Sequence, residues 1–164
     1  MAWARLTTKT LTVAGDSIQP DAVFLSNTFN MILEHGLASG NLDDELMQFG
    51  KTSIDTGSNY SFRFSGNGGA DSTNTPSIGF IANVTNQAQD GFIIAYMINI
   101  AAQEKLAIGF SCFTNTTGAG NAPARLEWVG KWANTTNQFD IAKMLNRGTG
   151  DYAIDSNLML IGTD

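Results

Sequence analysis

From Gly91 to Ala101 the chain is apolar on both parities: Phe92, Ile94, Tyr96, Ile98 and Ile100 lie on one side, Ile93, Ala95 and Met97 on the other. A strand that is apolar on both faces has to be covered on both. In a sandwich of two sheets one face meets the core, so the other needs a loop, a terminus or another subunit over it. The segment therefore predicts a strand with two covered faces. A loop of the same chain and a neighbouring subunit are equal candidates for the second cover.

The rest of the chain repeats the strand signal in simpler form. Tyr60, Phe62 and Phe64 alternate with Ser61, Arg63 and Ser65, and Leu126, Trp128 and Trp132 oppose Arg125, Glu127 and Lys131. Such period-2 patterns mark half-buried strands. Further strands are expected over Arg5 to Val13, Glu45 to Phe49, Ser77 to Asn83, Leu106 to Phe113, Phe139 to Leu145 and Leu158 to Ile161. From Val23 to Leu37 two readings compete. Phe29, Met31 and Leu33 fit a strand, whereas Leu25, Phe29, Ile32 and Gly36 fit a helical face; the strand is preferred. Gly36 to Asp44 and Asn146 to Asp151 read as connections. Gly66 to Pro76 and Thr114 to Pro123, rich in Gly and Asn, read as loops that protrude. Short strands separated by turn signals, with no clear helix, predict an all-β antiparallel sandwich of jelly-roll type with about eight or nine strands. Residues 1–164 are expected to form one domain, large enough to bury roughly 70% of its unfolded surface without disulfide or metal.

Chemistry-bearing residues are sparse. The net charge is −6 and the nine Lys and Arg residues are scattered, which argues against nucleic acid as a partner. No apolar run reaches the length of a membrane span, and no leader pattern is visible, so a soluble protein made in a reducing cytosol is expected. Four Asn-X-Ser/Thr sequons, at Asn59, Asn83, Asn115 and Asn134, then read as ordinary turns. Cys112 is the one cysteine and His35 the one histidine, so most metal sites and hydrolytic triads are out of reach. Cys112 reads as a small hydrophobe and His35 as a turn residue, though spacing alone leaves a Cys112–His35 pair open. Gly118 to Ala124 superficially matches a dinucleotide fingerprint, but Pro123 and a strand pattern follow where that motif needs a helix. The acidic groups Asp43-Asp44-Glu45 and Asp151 with Asp155 lie in loop-like sequence without EF-hand spacing. Neither a catalytic residue nor a cofactor or metal ligand is expected.

Several segments resemble small virion-associated structural proteins of tailed bacteriophages. They are Trp3-Ala-Arg-Leu-Thr-Thr-Lys-Thr-Leu with Ala14-Gly-Asp, Asp55-Thr-Gly-Ser-Asn-Tyr-Ser-Phe-Arg with Asn67-Gly-Gly-Ala-Asp, and Ile98-Asn-Ile-Ala-Ala-Gln-Glu-Lys-Leu-Ala-Ile-Gly. Ala119-Gly-Asn-Ala-Pro, Val129-Gly-Lys-Trp-Ala-Asn, Gly148-Thr-Gly-Asp-Tyr and Ile161-Gly-Thr-Asp extend the likeness over nearly the whole chain; Ala22 to Phe49 matches least. The resemblance implies a non-enzymatic virion component, foremost a head decoration (cement) protein, assembled in the host cytoplasm and bound to the major capsid protein as a small oligomer, with a trimer preferred. Trp3, Ile93 and Met97 are the expected subunit-contact residues. The competing expectation is a carbohydrate-binding module of a fibre or tail, motivated by the tryptophans, of which Trp3 is the freest to stack on a sugar.

Overall fold

The computed structural model describes residues 2–21, 28–83 and 88–163. Among them are fifteen strands and no helix. In chain order these are β1 (Ala4–Thr10), β2 (Ser17–Ile18), β3 (Phe29–Gly36), β4 (Ala38–Ser39), β5 (Glu45–Lys51), β6 (Ser53–Ile54), β7 (Tyr60–Gly66) and β8 (Ser72–Ser77). They continue as β9 (Phe80–Asn83), β10 (Gly91–Ile98), β11 (Lys105–Phe113), β12 (Ala124–Trp132), β13 (Ile141–Leu145), β14 (Asp151–Tyr152) and β15 (Asn157–Thr163). The strands pair antiparallel throughout. The large sheet has eight, in the order β1-β15-β3-β10-β11-β12-β7-β8. The smaller one runs β2-β13-β5-β6, with β9 also on β5, and β4 and β14 make a separate two-stranded ribbon. The protein is thus all-β, built on large antiparallel sheets in the manner of a β-sandwich.

Burial follows the pleat. Successive residues of β11 and β12 alternate strictly between buried and exposed over most of their length. The inward parity of β12 carries Leu126, Trp128 and Trp132, opposite Tyr60 and Phe62 on β7. The tryptophans need room, and small residues on the neighbouring strands supply it. A Cβ on Gly109, which pairs with Trp128, would lie 2.1 Å from the indole, and one on Gly130 would lie 2.7 Å from the Phe80 ring. From the smaller sheet Phe49 meets Phe80 at 5.5 Å and Phe139 at 4.9 Å between ring centroids, and Tyr60 stacks on Trp132 at 6.2 Å.

The polar ends of Tyr60 and Trp132 are satisfied, as burial favours, whereas the Trp128 indole N–H is buried without a hydrogen-bond partner. The Tyr60 hydroxyl donates to the Phe49 carbonyl and accepts from the Phe49 amide, both at 2.9 Å. Trp132 Nε1 donates to Asp55 Oδ2 at 2.9 Å. Burial raises the Asp55 carboxyl, but donors from Trp132, Asn59 and Gly57 outweigh it and hold the group below the ordinary aspartate value. Lys105 lies fully buried, with its ammonium donating to the carbonyls of Gln103 at 2.7 Å and Asn134 at 2.8 Å.

One open choice is resolved and two expectations need adjusting. The ambiguous segment is a strand from Phe29 to Gly36, while residues 22–27 lie outside the described residues. Gly66 to Pro76 is not one loop. Ser72–Ser77 forms the outermost strand of the large sheet, and only 67–71 turn. This edge strand is exposed along most of its length and bonded on one side, so a polar Ser-Thr-Asn-Thr-Pro run suffices and carries no apolar alternation. The short strands β2, β4, β6 and β14, at two residues each, fall within stretches read as turns or left unassigned.

Candidate interaction face

Strand register sets which side chains share the outer face of the large sheet. Tyr96 pairs with Ile108 on one side and Met31 on the other; Ile108 pairs with Val129; Ile94 pairs with Phe110 and Leu33; Phe92 pairs with Cys112 and His35. All of these point away from the smaller sheet. The result is a continuous apolar area across β3, β10, β11 and β12. Phe92, Tyr96, Leu106, Ile108, Phe110 and Val129 are each between 41% and 53% exposed. Trp3 and Phe29, each 48% exposed, extend it at one end. There a cavity of about 450 Å³ opens between Trp3, Phe29, Tyr96, Leu106 and Ile108.

No segment among the described residues covers this face, so of the two covers expected for the Gly91 strand the described residues supply only the inner one. The parity also differs from the residues expected to make subunit contacts. Ile93 and Met97 are 0% and 2% exposed and belong to the core, although Met97 also lines the cavity beside Trp3; the outer surface of the strand is carried by Phe92, Ile94 and Tyr96. Trp3 is on the surface. A signal for the outer parity exists in β11, where Leu106, Ile108 and Phe110 alternate with Ala107, Gly109 and Ser111. Bulk alone would send the large set inward. The small set is inward instead, with Gly109 directly beneath the Trp128 indole.

The charged border of the face is internally paired. On the β12 side Arg63 meets Asp71 at 3.3 Å, Arg125 meets Glu127 at 3.2 Å and Lys131 meets Glu104 at 3.1 Å. These three bases and three acids cancel, although the chain as a whole is at −6.

The other residues singled out from the sequence do not assemble into a reactive centre. His35 and Cys112 are on the same outer face but flank Phe92 from either side. Two strand spacings separate their backbones by about 10 Å, beyond hydrogen-bond reach. Trp128 and Trp132 are in the core. Gly118 to Pro123 forms the β11–β12 connection, and a strand follows it. Asp44 pairs with Arg147 at 3.7 Å. Asp151 sits beside Asp16, and a hydrogen bond between the two carboxyls raises Asp151 above the ordinary value. Among the described residues no three His, Cys, Asp or Glu side chains converge as a metal site would require.

One polar cluster was not foreseen. Glu34, on the inward parity of β3, is 1% exposed, and Glu45 of β5 is 2% exposed. Glu45 Oε2 accepts from Asn83 Nδ2 at 2.6 Å, whereas neither Glu34 oxygen has a hydrogen-bond partner. Burial, and then the nearby Glu45 charge, pushes the Glu34 carboxyl well above the usual range. Burial raises Glu45 as well, against the Asn83 bond, and pushes up the enclosed Tyr152 hydroxyl beside them. A carboxyl in this position is held as the neutral acid, since an unpaired buried charge would be far costlier. The cluster is sealed between the layers, so it bears on stability and not on any reaction with a solute.

No family model, no curated protein and no solved structure matches this chain.

Proposed function

We propose that this protein is a non-enzymatic structural component of a tailed-phage virion, a jelly-roll decoration protein that stabilises the assembled head by packing the open face of its large sheet against other subunits. The open apolar face carries this reading. Monomeric proteins rarely leave so large a continuous apolar area in water, and such areas mark interaction surfaces. Eight side chains about half exposed, at on the order of 100 Å² each, amount to about 800 Å², the area one partner contributes to a standard interface. The strand orders β1-β15-β3-β10 and β2-β13-β5-β9 support the jelly-roll assignment, being the two four-stranded halves that its paired Greek keys produce. On this reading β7, β8, β11 and β12 are additions that widen one half, and the interaction face straddles the join. The segments that resemble phage virion proteins support the setting. Bound to an assembled head and not to free subunits, the protein would stabilise the particle by mass action.

The carbohydrate-binding alternative has less behind it. Sugar recognition needs hydrogen-bonding groups beside the aromatic platform, and the cavity next to Trp3 is walled chiefly by Phe29, Tyr96, Leu106 and Ile108. The test is co-sedimentation of the purified protein with empty heads of the parent phage, together with mass spectrometry of purified virions. Saturable co-sedimentation and high copy number are expected. A protein absent from virions and indifferent to heads, yet retained by a glycan array, would replace this reading with the alternative.

A further inference from the structure

We infer that in the free protein the open face of the large sheet is covered by a second copy of this chain, docked face to face about a two-fold axis. The inference rests on the reading of that face as an interface and adds the identity of its occupant. Three observations converge on it.

The first is number. A two-fold contact uses one patch twice, whereas a ring of three needs two different patches that fit each other. Among the described residues the large exposed hydrophobics fall into one extended area, Phe92, Tyr96, Leu106, Ile108, Phe110 and Val129 with its Trp3–Phe29 end. The remaining two, Val13 and Ile154, lie off it in connections, joined through the bonds that tie Leu11 to Asp155 and Ser156. They are too few to form the second patch of a trimer.

The second is area. About 800 Å² per copy meets the size of a standard stable interface, so a second copy suffices to cover the patch.

The third is charge. Two chains at −6 repel, and they can approach only where the surface has no excess of acid. The border on the β12 side is neutral through its three ion pairs, and on the far side Arg5 pairs in register with Ile161 and adds a positive group. Asp90, beside Phe92 and Cys112 at the other end, offsets Arg5, so the open face is apolar and without the negative excess of the chain as a whole. Two sheets stacked this way bring their outer side chains together at the spacing of about 10 Å found inside sandwiches. The cavity beside Trp3 gives the face relief to receive side chains of the other copy.

The test is sedimentation equilibrium of the full chain from about 1 to about 100 μM, at or above the micromolar-to-picomolar dissociation constants of standard-size interfaces. A mass of twice 17.5 kDa is expected at the upper end. Ile108→Asp and Val129→Lys, each on the outer parity, should lower the dimer fraction at least tenfold while the circular dichroism spectrum stays unchanged; two variants guard against one failing to fold. Val13→Asp should leave the dimer intact. A monomer at every concentration, a trimer, or a dimer indifferent to both face variants would overturn the inference. Adding empty heads separates its failure from that of the underlying reading. If the wild type is monomeric but binds heads, and Ile108→Asp does not, the face is an interface for the capsid and the two-fold pairing is wrong. If neither binds, both fall.

Discussion

The outer face of β10–β12 and the space between β3 and β5 have exchanged the polarities expected of them. Tyr96, Ile108 and Phe110 stand in solvent, while Glu34 and Glu45 lie sealed inside with Asn83 and Tyr152. Both arrangements are unfavourable in isolation, but they differ in kind. An exposed apolar face loses free energy in proportion to area and without direction, so any surface of fitting shape relieves it. A buried carboxyl is relieved only by a proton or by a partner at the correct distance and angle. The first region therefore tolerates change while the chain is alone and becomes sensitive on association. The second is sensitive within the single chain and responds to pH.

The sharpest way to break that contrast is to compare the two sides of one strand. Gly109→Val places a side chain where the Trp128 indole already stands, since even a Cβ would sit 2.1 Å from it. Overpacking of this order should cost about 3 kcal/mol and lower Tm by roughly 6–12 °C. Ile108→Ser, one residue away on the open face, should cost under about 1 kcal/mol at concentrations where the chain is monomeric. Thermal melts followed by circular dichroism decide it, and equal losses at both positions would mean that β11 is not inside-out as described.

A smaller effect tests the interior. Burial holds the Glu34 proton to higher pH in the folded protein than in the unfolded chain, where the ordinary glutamate value of 4.5 applies. Below that pH the group is neutral in both states and its contribution is fully present. As pH rises above it, the unfolded chain gains by ionising and the folded chain does not, so stability is lost until the folded group also titrates. Glu34→Gln removes this loss. Its Tm should match the wild type near pH 4 and exceed it by roughly 2–4 °C at pH 8, for about 1 kcal/mol. A difference that stays flat with pH would show that Glu34 ionises freely in the folded protein.

The smallest effect belongs to the border of the face. Lys131→Ala breaks the pair with Glu104, in which both side chains are more than 40% exposed. Exposed pairs of this sort contribute little, so the urea midpoint should move by less than about 0.5 kcal/mol equivalent and still less in high salt. A larger, salt-sensitive loss would mean that the rim supports the sheet in its own right.

Alternation over Tyr60–Phe64 and Leu126–Trp132 was enough to read β7 and β12 and the inward side of each, because there one parity is polar and the other aromatic. The same reasoning identified β10 as a strand with two apolar faces but could not say which was outward, since both sets of side chains are apolar. That decision came from the neighbours. The Trp128 indole fills the space over Gly109, where even a Cβ would clash, so the small parity of β11 is inward and Leu106, Ile108 and Phe110 are turned outward; the pleat carries the same choice across the ladder to Tyr96 and Phe92. Glu34 was illegible for a related reason. A single acid in an apolar run is ordinary on a solvated parity, and only pairing with β10 and β15 on both sides puts that parity in the core. The order of residues by itself determined that the chain is made of antiparallel strands and roughly where they run, because backbone period and turn chemistry are local. Tertiary structure alone decided which apolar surface is left for a partner, because burial is settled by the volumes that distant side chains bring to the same place.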